Sequence, residues 1–73
     1  MLPDGSYDVV VVDAQEGSEA GAVALELTLL AGEHKGEVVR ITATGIDRDP
    51  LDLLAVPGTL VVEGGTPRVI LEG

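Results

Sequence analysis

The side chains able to do chemistry in this sequence are few. His34 is the single histidine and stands in a polar turn beside Lys35, while Ser6 and Ser18 are the only serines, both in turn-like surroundings. A nucleophile needs a base within reach and a third group to orient that base, and these spacings supply no such trio. Glu26 and Glu37 are carboxylates that neighbouring strands would bring together. Acid–base work requires burial or a close charged partner to tune them, and no cleft is implied. Asp47, Asp49 and Asp52 are hard oxygen donors close in sequence. A calcium loop needs a glycine-bearing pattern of about twelve residues; here Arg48 separates the first two acids, and helix capping accounts for Asp49 and Asp52. Gly64-Gly65-Thr66-Pro67 lacks the lysine of a phosphate loop and leads into a strand rather than a helix, so it reads as a hairpin turn. The expectation is a non-enzymatic protein with no metal and no cofactor.

Charge narrows the partners. Lys35, Arg40, Arg48 and Arg68 are the only basic residues against 13 acids, for a formal charge of −9. Nucleic-acid affinity comes largely from counterion release by clustered Lys and Arg, and anionic membrane surfaces select for the same residues. The acidic balance favours solubility and fits a basic partner. No apolar run approaches the roughly 18–20 residues that span a bilayer, and Met1-Leu2-Pro3-Asp4-Gly5 lacks the basic start and apolar stretch of a signal peptide. The expected location is cytoplasmic. With 73 residues and no Cys, the chain reads as one domain, residues 1–73, with neither a disulfide framework nor a Cys-based metal site. A core of this size buries only about 60% of the surface of the unfolded chain.

Glycine and proline punctuate the chain as in a small all-β domain. Tyr7 to Ala14 is the first strand, dense in β-branched Val. Its run Val9 to Val12 is apolar on both faces, so the strand is either well covered or bent to serve two packing surfaces. After the polar loop Glu16 to Gly21, Ala22 to Leu30 alternates strictly, with Val23, Leu25, Leu27 and Leu29 on one face and Ala24, Glu26 and Thr28 on the other, the pattern of a half-buried strand. Gly32 to Gly36 turns the chain. Glu37 to Thr44 is the third strand, with Val39, Ile41 and Ala43 inward and Val38, Arg40, Thr42 and Thr44 outward. Asp47 to Ala55 is the one helical stretch. Asp49 is its N-cap, Pro50 its first residue and Asp52 an acid in the first turn; Leu51, Leu54 and Ala55 lie at helical spacing to plug one end of a barrel. Pro57-Gly58 stops it. Thr59 to Glu63 and Arg68 to Glu72 form the last hairpin, with Leu60, Val62, Val69 and Leu71 inward.

Three strands, a short helix between strands 3 and 4, then two more strands is the order of an OB-fold, a five-stranded, partly open Greek-key barrel. Its narrow interior suits Val and Leu with no large aromatics. An SH3-like barrel or a helix-capped meander shares the same elements. Single-strand binding on an OB-like barrel combines a basic groove with aromatic stacking platforms, whereas this chain has Tyr7 as its only aromatic.

The first half carries a family resemblance. Leu2-Pro3-Asp4-Gly5-Ser6-Tyr7 followed by Val9-Val10-Val11-Val12-Asp13-Ala14 resembles the opening of a largely uncharacterised family of phage and prophage proteins, which begin with a Pro-x-Gly-x-Tyr turn and a strand ending near Asp-Ala. Their next element is a strand leading into a Gly-x-x-x-Gly turn with a basic residue after it; here Leu25 to Ala31 leads into Gly32-Glu33-His34-Lys35-Gly36. The likeness spans about residues 2–41. It implies an OB-type, single-strand-binding-like fold from phage replication or recombination, with Gly5, Tyr7, Gly32 and Gly36 as fold determinants. Glu37 stands where the family carries the basic residue, and the barrel is expected to close without the longer C-terminal part common in the family. Both departures weigh against nucleic acid.

The sequence therefore favours an acidic protein-interaction or assembly module whose partner is another protein or a second copy of itself. Its candidate patch is Val10, Val12 and Val38, apolar residues expected on the outer faces of strands. The alternatives are a single-stranded DNA-binding protein, which requires Lys35, Arg40, Arg48 and Arg68 to converge on one face, and an acidic inhibitor that imitates nucleic acid.

Overall fold

A computed structural model describes residues 2–45 and 48–72. Five antiparallel strands curl into a half-barrel: β1 (Gly5–Glu16), β2 (Ala22–Leu29), β3 (Val38–Thr44), β4 (Pro57–Glu63) and β5 (Thr66–Leu71), with a 3-10 turn, η1 (Pro50–Leu53), between β3 and β4. Strands lie in the order β3-β2-β1-β4-β5. In a meander β4 would sit beside β3. Here it returns to the far side of β1, which makes the first four strands a Greek key and separates an OB-like half-barrel from the meander. β3 and β5 are the two edges.

β1 runs the length of the sheet because it serves two neighbours. Its first half pairs with β4, from Gly5 with Val62 to Val10 with Pro57, and its second half with β2, from Val9 with Leu29 to Glu16 with Val23. The handover falls at two irregularities. The register with β2 shifts between Val11 and Asp13, leaving Val12 as an extra residue. On the other side Val11 donates its N–H to the Val56 carbonyl and accepts from Ala55 N–H, so two residues oppose one. Bulges of this kind bend a strand and sharpen its twist. This resolves the doubly apolar run Val9–Val12: Val9 and Val11 point into the core, Val10 is half-buried and Val12 is exposed.

Ala55 holds a φ of 65°, the left-handed region where such a bulge normally carries glycine. Ala55→Gly is expected to raise the unfolding free energy by about 0.5–1 kcal/mol, the relief of the Cβ clash less the greater freedom of glycine in the unfolded chain; urea titration followed by circular dichroism checks it.

The core is aliphatic. Val9, Val11, Leu25, Leu27, Leu29, Leu53 and Leu60 are fully buried, and the alternation of β2 holds throughout. The stretch expected to be helical departs from expectation. Asp49 does cap it, its carboxylate accepting Leu51 N–H at 2.9 Å, and Pro50 opens it, but the turn is only four residues long, Pro50–Leu53, in 3-10 geometry. Side chains three apart eclipse in such a turn. Pro50 and Leu53 therefore share one side, and Leu51 and Leu54 the other. Leu53 closes the barrel at 0% exposure, whereas Leu51 and Leu54, expected as the plug, are 74% and 42% exposed, and Ala55 is exposed too. The last hairpin turns tightly on Gly64 and Gly65 alone, both with positive φ, so β5 starts at Thr66, two residues earlier than expected. Asp4 ties this turn to the start of the chain by accepting Gly64 N–H at 3.1 Å and Gly65 N–H at 3.5 Å.

Candidate interaction surfaces

Register places the outer residues in rows across the sheet. One row runs Pro57, Val10, Thr28, Val38. The next holds Asp13, Glu26 and Arg40, and the third Gln15, Ala24 and Thr42. Val10 and Val38 thus flank Thr28 on one face, with Val38 55% exposed. Val12, in the bulge beside Asp13, is 48% exposed. The three valines singled out from the sequence lie along adjoining rows of the β1-β2-β3 surface. Beside them a shallow groove of about 440 Å³ is lined by Asp13, Gln15, Ala24, Glu26, Arg40 and Thr42.

Of the four basic residues, Arg40 is on β3 and Arg68 on β5. Arg40 meets Glu26 at 2.8 Å, its partner in the row. An exposed pair of this kind contributes at most about 1 kcal/mol. Arg68 approaches Glu63 at 3.8 Å. Thr42 borders two separate hollows, one lined also by Arg40 and the other by Arg68. Lys35 stands before β3 on the exposed Gly32–Gly36 turn, and Arg48 beyond its far end, where it donates to the Glu72 carbonyl at 3.5 Å and borders the β1–β2 loop.

Of the remaining chemical candidates, His34, Glu37, Glu26 and Asp49 have structural partners. Glu37 accepts from Nδ1 of His34, whose ring meets Tyr7 edge-on with centroids 6.5 Å apart. The Tyr7 hydroxyl donates to the Pro3 carbonyl. Glu26 turns to Arg40 rather than to Glu37. Ser6 lies on the outer face of β1 opposite Val61, and Ser18 in the β1–β2 loop. Asp49 is the cap described above, Asp52 is exposed, and Asp47 lies outside the described residues. No helix among the described residues is long and apolar enough to cross a membrane.

One feature lay beyond the sequence reading. β3 and β5 face each other across a seam without pairing, and the seam opens into a groove of about 490 Å³ floored by Val39, Ile41, Leu60 and Val62 and bordered by Leu2 and Pro67. Alternation marks those residues as inward but does not show that a groove opens over them; only Pro67, a residue confined to strand edges, hints at an unpaired β5. Comparison with protein-family models, curated proteins and solved structures finds no match for this chain.

Proposed function

We propose that this chain is a non-enzymatic protein-interaction module, an acidic assembly protein of phage or prophage type built on an OB-like half-barrel. The observation that carries the reading is the exposure of Val12 and Val38 beside Val10 on the outer β1-β2-β3 surface. These strands otherwise keep their large apolar side chains inside, and apolar groups gathered on an outer face mark contact surfaces. The likeness of residues 2–41 to phage proteins supports the phage or prophage type and, through their single-strand-binding-like fold, the second reading below; the charge of −9 supports a basic partner.

The test pairs Val12→Thr and Val38→Thr, which keep the β-branched shape and remove apolar surface. Photo-crosslinking in host lysate is expected to give a partner band with the native chain that is lost with the double variant and kept with Ile70→Thr, which alters an exposed residue of β5. Sedimentation of the native chain identifies a second copy if that is the partner. A band indifferent to the valines, or none, overturns the reading.

The second reading, single-stranded DNA binding, draws on Arg40 and Arg68, which line the two hollows that Thr42 borders. Labelled oligo-dT titrated at low salt decides between the two. The interaction-module reading expects a flat anisotropy curve. A rise that weakens steeply with added salt, the signature of released counterions, transfers the function to DNA.

A further inference from the structure

We infer that the outer valine surface takes a partner-protein segment whose apolar side chains are followed by one arginine or lysine, the cation seated in a hollow beside Val10 between Asp8 and Glu72. The inference rests on the interaction-module reading and names the chemistry of the segment that this surface binds.

The sheet register builds the hollow. Alternation along β1 puts Asp8 on the same outer face as Val10, one row further along. Leu30 N–H bonds the Asp8 carbonyl, and Glu72 N–H bonds the Pro57 carbonyl. Leu30 therefore extends the Asp8 row on the β2 side, and Glu72 ends the row that holds Val10 and Pro57. Between the two rows lies a hollow of about 320 Å³, bordered by Asp8, Leu30, Pro57, Thr59 and Glu72. Leu30 is 44% exposed, and Asp8, Pro57 and Glu72 are exposed as well.

The lining decides what fits. Leu30 and Pro57 are apolar walls, and the charged side chains of the lining are the carboxylates of Asp8 and Glu72. Arginine and lysine lay an apolar stem along such walls and present a charged head beyond it, where a carboxylate on each side can accept its N–H groups. Arg48 meets the Glu72 main chain at 3.5 Å and lines the hollow by the β1–β2 loop instead. Across the valine row the charged groups are Asp13 and the engaged pair of Glu26 and Arg40, so the carboxylates outnumber the cations around this patch itself. The rows also set the reach. From Val38 through Thr28 and Val10 to Pro57 is three strand spacings, about 14 Å, the span of about four extended residues. A segment of that length covers the valines and delivers its next side chain to the hollow. A second copy is a poor occupant, because a two-fold contact lays the same face on itself, carboxylate against carboxylate.

The probes are two capped synthetic peptides of about six residues, alternating Val with Thr. One carries a single Arg at its N-terminal end and the other at its C-terminal end, which allows for either chain direction. Each is titrated into the isotope-labelled full chain and followed by amide and methyl NMR. One of the two is expected to shift the methyl signals of Val10, Leu30 and Val38 together with the amides of Asp8 and Thr59. Replacing its Arg by citrulline, which keeps the shape and removes the charge, is expected to weaken binding about five-fold, the upper end for one ion pair at a surface. Asp8→Asn with Glu72→Gln is expected to cost the arginine peptide the same factor and the citrulline peptide nothing, the non-additivity of groups in direct contact. Ile70→Thr is expected to change neither. The citrulline arm carries the test if the double variant does not fold. Silent titrations, equal binding by the arginine and citrulline peptides, an equal loss of both in the double variant, shifts confined to the seam around Val39 and Ile41, a dimer of the free protein through the valines, or oligo-dT moving these signals where the peptides do not, each overturns the inference. A partner band from lysate that vanishes in the Val12→Thr, Val38→Thr variant and persists in the Asp8→Asn, Glu72→Gln variant leaves the interaction module standing and removes only the cation anchor.

Discussion

Leu53→Ala is expected to lower the unfolding free energy by about 3 kcal/mol, within the range for a fully buried leucine whose cavity cannot collapse, while Leu51→Ala two residues earlier changes it by less than about 0.5 kcal/mol, as exposed positions do. The contrast follows from three residues per turn. Leu53 sits beneath the turn that bridges β3 and β4, fully buried against the core cluster, and Leu51 projects into solvent. Asp49 and Pro50 fix the start of the turn, so the neighbouring strands cannot close on the missing isopropyl group without breaking the cap. Typical stability per residue gives a chain of 73 residues about 4–11 kcal/mol in total, so the first variant loses a large fraction of it. Urea denaturation of both variants, followed by far-ultraviolet circular dichroism, reads the difference directly. A larger cost for Leu51→Ala than for Leu53→Ala would mean that the stretch is an α-helix with its apolar face at Leu51 and Leu54.

Gly58→Ala is the second large effect, expected to cost about 1–3 kcal/mol through overpacking. Gly58 lies inside β4, paired with Val9 on one side and Leu71 on the other. A Cβ there would stand 2.6 Å from the Ile70 carbonyl oxygen and 2.9 Å from Leu71 Cδ2. The side chain can swing away; the carbonyl belongs to the neighbouring strand and moves only with it. β5, the thinner edge of the sheet, is then expected to detach first. Hydrogen exchange should show faster loss of protection at Arg68 and Ile70 than at β2. An Ala variant as stable as the parent would show that β4 and β5 have slack at this point.

What the sequence made legible was whatever depends on a strand's immediate neighbours. The alternation from Val23 to Leu29 is buried on the inner face as expected, Ile41 points in while Val38, Arg40, Thr42 and Thr44 are exposed, and Asp49 caps the turn before Pro50. The strand order with its late crossover was legible too, because three strands, a break and a hairpin leave few barrels to choose from. The misses have a common cause. Whether Asp49 to Ala55 turns with 3.6 or three residues per turn depends on the space above the core, so Leu53 escaped notice. The bulge at Ala55 lacks the glycine that would have announced it. The seam arises between β3 and β5, which are far apart in the chain and never pair, so no local pattern encodes its width. The valine patch was visible as residues but not as a surface, because the bend at Val11 and Val12 decides which of them reaches solvent.

The central position of β1 has a consequence for how the chain is made. β1 leaves the ribosome first and finds β2 soon after, across a short loop. Its other edge waits for β4, which emerges after β2 and β3 and pairs Val62 with Gly5. Contacts so distant in sequence form late in folding, and half-paired strands of this kind aggregate before they are completed. The nascent chain therefore carries the run Val9–Val12 with one ladder open until β4 emerges. Asp8, exposed on the stretch that pairs with β4, sets a like charge against any other nascent copy that tries to take the place reserved for β4.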